Sequence, residues 1–152
     1  MPHTREELVR LINLDEPDYP SIISQLHDDD IPLLSLLAQD PNPGLATKAI
    51  SCLGLMGNEA AVAGLQPVAT HRDPVYRIAA AQALCHVPSS TAGVRLLGKL
   101  LDDQDLGVRK FALKSVDVAN ISSLKEQVRQ VNLREQNEGL KNMSQSILQK
   151  LR

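Results

Sequence analysis

Aromatic side chains are nearly absent from this sequence. It has no tryptophan, one phenylalanine and two tyrosines, so Tyr19, Tyr76 and Phe111 are the only large rings in 152 residues. A core with so few rings must be assembled from Leu, Ile, Val and Ala, which favours helix packed on helix. The 43% hydrophobic content is enough for one domain of this length. A surface that stacks nucleic-acid bases has equally little to work with.

An excess of either charge is also lacking. Sixteen Lys and Arg stand against eighteen Asp and Glu, a net charge of −2. Such a chain has no long-range field to draw it onto nucleic acid or an anionic membrane. No apolar run approaches the roughly 20 residues that span a bilayer, and the opening MPHTREEL lacks the order of a secretory signal. The two cysteines, Cys52 and Cys85, fall inside expected helices and read as small hydrophobes in a reducing compartment, so the cytoplasm is the expected location. His3, His27 and His71 show no ligand spacing, and no HExxH, CxxC or Gly-rich phosphate loop occurs. The adjacent Cys85 and His86 would need partners from other helices to act as a nucleophile or a metal site. No catalytic residue, metal ligand or cofactor is expected.

What the chain does have is repetition. Asp73 to Leu84 reads DPVYRIAAAQAL: an Asp suited to capping, a Pro suited to the first helical position, then an Ala-rich helix. Its counterparts are DPNPGLATKAISCLG from Asp40 and DLGVRKFALKSV from Asp105. Taking Leu45, Tyr76, Val108 and Leu140 as equivalent positions gives spacings of 31, 32 and 32 residues. Eight residues after each lies a second apolar site: Leu53, Leu84, Val116 and Leu148. Apolar triplets precede the first three, from Ile31, Val62 and Val94 onward. Each unit is therefore a helix, a turn near an Asp, and a second helix; self-similarity at this period marks a solenoid.

Thr4 and Glu7 have the spacing of a capping box that opens a first helix, and Ile22, Ile23 and Leu26 mark a short second one. The run Asp28 to Asp30 reads as an N-cap region. In the last unit the first helix (Ile121, Leu124, Val128) comes about five residues early, which predicts a longer internal loop around Asn132 to Asn137. Its second helix, Glu138 to Leu151, is polar apart from a few positions and reads as a cap.

These columns of Asp, Val-Arg and Ala-rich helix resemble the HEAT-like repeats, in particular the short bacterial type also found in phycobilisome-lyase proteins. The resemblance covers about Ile31 to Leu151. It implies an all-α fold, a right-handed α-α superhelix of about four helix pairs plus an N-terminal helical cap. The expected division of the single domain 1–152 is a cap over 1–28, regular repeats over 29–57, 58–87 and 88–119, and a degenerate repeat over 120–152. Ala46 and Asn42 depart from the family's Arg and Asp in the first unit, and Lys141 and Asn137 in the fourth.

Asp73 with Arg77, and Asp105 with Arg109, could be mistaken for acid–base pairs. Their periodic recurrence fits a structural ladder of Asp40, Asp73, Arg77, Asp105 and Arg109 along the turns, each capping Asp serving its own helix and each Arg a neighbouring unit. The second helices of such units usually line the concave side. Positions two and six after each reference should face outward there: Thr47, Ser51, Ile78, Gln82, Lys110, Lys114, Asn142 and Ser146, with His86 and Phe111 beside them. A long rigid groove of this kind suits a partner protein or peptide, with Ile78, if exposed, as an apolar anchor. The family resemblance also suggests handling of a tetrapyrrole chromophore, for which the chain offers few rings. Nucleic-acid binding would rest on a local basic strip of Arg109, Lys110, Lys114 and Lys141.

Overall fold

Local capping signals set nearly every helix boundary. The computed structural model describes residues 2–151, in which ten α-helices and three 3-10 turns are joined by tight loops, with no strand among them. The first helix, α1 (Arg5–Ile12), opens with a complete capping box: the Glu7 N–H donates to the Thr4 hydroxyl and the Thr4 N–H donates to the Glu7 carboxylate. Asp18 caps α2 (Tyr19–Gln25). Beyond the turn Asp28–Asp30 come α3 (Ile31–Leu37) and α4 (Pro43–Met56), the latter capped by Asn42 and ended by Gly57 at φ +70, a left-handed stop that glycine adopts without strain. Asn58 caps α5 (Glu59–Ala69) and Asp73 caps α6 (Pro74–Ala83), which passes into a 3-10 turn at Leu84–His86. Ser90 caps α7 (Thr91–Leu100) and Asp105 caps α8 (Leu106–Ala119). A turn at Ser122–Leu124 leads into α9 (Lys125–Arg134), and Asn137 caps α10 (Glu138–Lys150).

Two sequence expectations change here. The internal loop of the last unit is short, not long, because α9 continues through Asn132–Arg134 and only Glu135, Gln136 and Asn137 separate it from α10. The acidic run does end at the N-cap of α3, which is Asp30, but no side chain there caps the helix. Asp30 instead folds back and is buried; its carboxylate accepts from the His27 N–H at 2.9 Å, the His3 N–H at 2.6 Å and the His3 ring at 2.9 Å. Burial alone would push that carboxyl up, but these bonds outweigh it and hold it below the ordinary aspartate value.

The helices pack in two rows. One row runs α2, α4, α6, α8, α10, each touching the next; the other runs α3, α5, α7. Between the rows lies an aliphatic core that includes Leu34, Leu53, Leu65, Leu84, Leu97 and Leu113, and within which Tyr76 is the only buried ring. Close approach within a row depends on small residues. A Cβ added at Gly54 would lie 2.8 Å from the Ala83 carbonyl oxygen, so α4 and α6 meet where only glycine fits. Hydroxyls stitch the rows as well: Ser115 donates to the Ala81 carbonyl at 2.6 Å and Ser35 to the Gly64 carbonyl at 2.9 Å. The second row breaks at its end, since α7 and α9 barely touch.

Candidate functional site

The turns between paired helices share one hydrogen-bond scheme. Five residues before each reference position stand Asp40, His71, Asp103 and Glu135. Each accepts the N–H of the capping residue two positions on: Asn42 at 2.9 Å, Asp73 at 3.0 Å, Asp105 at 2.9 Å and Asn137 at 3.2 Å. Asp73 and Asp105 in turn accept from the first turns of their own helices, through the N–H groups of Val75 and Val108. Arg77 does not pair with Asp73. Its fork donates to both Asp103 oxygens, at 2.8 and 3.0 Å, one unit downstream, and to the His71 and Arg72 carbonyls. Arg109 repeats this with Glu135, at 2.8 and 3.0 Å, and with the Asp103 and Gln104 carbonyls. Sequence reasoning missed Asp103 and Glu135, although their constant offset and their place one unit after each Arg were a readable signal.

Where the first unit has Ala46 in the Arg column, the facing carboxylate is missing too, because His71 occupies it. The gap is filled by a different device. His71 stacks on Tyr76, ring centroids 4.0 Å apart, and the Tyr76 hydroxyl donates to the Asp40 carbonyl. Burial, with Asp73 and Asp40 nearby, pushes the Tyr76 phenol up and keeps it a donor. Asp40 itself takes Arg5 at 3.2 Å, an exposed contact that links α1 to the first turn. These residues hold the turns together; none is left over for proton transfer.

The residues expected on one face of the second helices differ in exposure. Gln82, His86, Lys114, Asn142 and Ser146 are exposed, and Thr47, Ser51, Ile78, Lys110 and Phe111 are half-buried. Ile78 is not a free anchor: its side chain packs against the core, with Cδ1 only 3.0 Å from where a Cβ on Gly107 would stand. The α4 end of the face is partly occupied, since Tyr19 of α2 lies beside Ser51 and Lys48 donates to the Asn13 side chain at 3.2 Å. At the other end Phe111 sits between two cations, Lys114 Nζ 5.0 Å and Lys110 Nζ 5.9 Å from its ring centroid. Leu55 and Val118, the latter 77% exposed, share the ten-residue offset of His86 and extend the face. A helical period of 3.6 puts offsets two, six and ten on one side, so both were within reach of the same count.

Chemistry at sulfur has no support in the geometry. Burial pushes the Cys52 thiol up to about 12, and burial raises Cys85 as well, the opposite of what a nucleophile requires. Among the described residues no group of three or more His, Cys, Asp or Glu could hold a metal ion. No helix among them is long and apolar enough to cross a membrane.

Paired helices repeated in register and joined by equivalent turns, with no metal-binding cluster among the described residues, define an α-helical repeat protein. The family model for HEAT repeats matches residues 4–85, just over half of the chain, and the chain belongs to that family. The match begins in α1, so it takes in the N-terminal pair that the sequence reading set apart as a cap. A comparison with curated proteins gives no match.

Proposed function

We propose that this chain is a non-catalytic interaction module, an adaptor or scaffold, that holds a partner protein or peptide along the face carried by α4, α6, α8 and α10. On this reading residues 1–152 are one domain in which helix pairs stack as a right-handed superhelix. The cap spans 1–28, the regular repeats 29–57, 58–87 and 88–119, and the terminal repeat 120–152. Two free cysteines suit the reducing cytoplasm. HEAT repeats commonly mediate protein interactions and are typically non-enzymatic. The observation that carries the reading is Phe111, half open between Lys110 and Lys114 with Val118 exposed on the same helix. An aromatic ring flanked by cations recognises an apolar side chain next to a carboxylate, and such central aromatics dominate interface energies.

The test is a charge reversal at two exposed or half-exposed positions that leave the core untouched. The partner is captured from native cell extract with the wild-type chain and identified. Lys110→Glu with Lys114→Glu should then weaken its binding by about tenfold or more without moving the melting temperature. Equal binding by the double variant would place the interface elsewhere. Tight, salt-dependent binding of duplex DNA by the same face at near-physiological ionic strength would replace a protein partner with nucleic acid.

A further inference from the structure

The break in the second row leaves a cleft of about 900 Å³ between α7 and α9. It shares no lining residue with the face carried by α4, α6, α8 and α10. Gly98 faces Leu124 on one side, and Arg134 reaches across to Asp102 at 2.8 Å on the other. Between these ties the walls stand apart.

The lining has a definite chemical character. Leu101, Leu124 and Val131 form a floor and are themselves nearly fully buried. On the α7 wall Arg95 and Lys99 stand one helical turn apart, both exposed. Gln127 and Gln130 face them from α9. The lining holds three cations, Arg95, Lys99 and Arg134, against one carboxylate, Asp102, and Arg134 is the cation that Asp102 engages. Among the described residues Arg95 and Lys99 make no ion pair.

We infer that this cleft receives an amphipathic helix from a partner protein, its leucine-like side chains on the Leu124–Val131 floor and its carboxylates along Arg95 and Lys99. The charge pattern selects the occupant. Cations four residues apart on a helix are neighbours about 5–6 Å apart, the same spacing that carboxylates at i and i+4 present on a docking helix. An apolar floor between polar walls is the helix-in-groove arrangement, read by residues at helical spacing. The two glutamines can donate to and accept from the docked helix's polar edge without demanding a charge. Nucleic acid fits less well, because no aromatic side chain lines the cleft and one of its three cations, Arg134, is already paired with Asp102.

The experiment uses the full chain, isotopically labelled, and a synthetic helical peptide with leucines on one face and glutamates on the other. The expected result is amide shifts centred on Val94, Gly98, Gln127 and Gln130 in two-dimensional NMR, weakened by added salt. Arg95→Glu with Lys99→Glu should lower affinity by about tenfold, and the lysine-for-glutamate peptide should bind the wild type correspondingly worse. Both substitutions are on exposed side chains, so the fold is retained and the unperturbed spectrum checks it. Shifts confined to α8, equal binding of the basic peptide, or indifference to the double reversal would each overturn the inference. So would tighter binding of single-stranded DNA at the same residues.

Discussion

At the scale of single residues, the fork of Arg109 on Glu135 engages the more deeply buried of the two forked carboxylates. The Arg109 side chain, hydrogen-bonded to Glu135, holds that carboxyl below its ordinary value of 4.5, against the opposing pull of burial. A lowered carboxyl contributes stability that is complete above the ordinary value and is lost as pH falls through the native one. Glu135→Gln should therefore lower the urea midpoint at pH 7, by an amount that shrinks as pH falls below 4.5, flattening the acid limb. A variant whose acid limb matched the wild type would show that Glu135 does not set it. Arg109→Met removes the cation and strands a nearly buried carboxylate, at a cost of roughly 1–3 kcal/mol measured by urea unfolding at pH 7. Asp30 behaves alike at the N-terminal end. Its bonds to His3 and His27 lower its pKa, so their loss in Asp30→Asn should make α1 fray at neutral pH. Amide exchange in Leu8 and Ile12 reports it.

At the scale of elements, glycines separate packing from propensity. Gly54 and Gly64 both lie inside helices, where alanine is intrinsically better by about 1 kcal/mol. A Cβ at Gly64 meets Leu53 and Ser35 at an ordinary 3.5 Å, so Gly64→Ala should be neutral or stabilising. A Cβ at Gly54 runs into backbone of α6 at 2.8 Å, and Gly54→Ala should cost about 1–3 kcal/mol by forcing the helices apart. Opposite signs for the two changes in thermal melts are the expected outcome; equal effects would mean that the α4–α6 approach is slack. Helices and turns were legible because their causes are local: Thr4 with Glu7, Asp73 with Pro74, and Gly57 with Asn58 act within a few residues. The helix pairs were legible through the 31- to 32-residue period. Asp30 and the His71–Tyr76 stack were not, since their partners His3 and Asp40 lie 27 and 36 residues away in the chain. The outward face was half legible. Offsets two and six pick out exposed Gln82, Lys114, Asn142 and Ser146, but whether Ile78 stood free depended on Gly107 of the next helix.

For the whole molecule, the asymmetry between the two rows decides how it comes apart. A stack of helix pairs has stability that is roughly a sum of unit terms and nearest-neighbour interfaces, so a weak interface marks where opening starts. The interfaces α4–α6 and α6–α8 are sealed by buried alanines and leucines, with the Ser115 bond crossing the second of them. At the α7–α9 junction the walls stand apart above the buried floor of Leu101, Leu124 and Val131, and the ties across it include Arg109 with Glu135, exposed Arg134 with exposed Asp102, and the contact of α10 with α8. Exposed ion pairs are worth about 0–1 kcal/mol each, far less than the packing they replace. Opening should therefore begin with α9 and α10 lifting together, since they pack closely on each other. Native-state hydrogen exchange in low denaturant should show amides of Val128 and Val131 exchanging through a sub-global step. Those of Leu53, Leu65 and Ala80 should wait for global unfolding. Helix insertion into the α7–α9 cleft would bridge its two walls, so the amphipathic Leu/Glu peptide should slow exchange at Val128 and Val131 and leave Leu65 unchanged. Equal protection across all five amides in the free chain would mean that the row break carries no energetic weight.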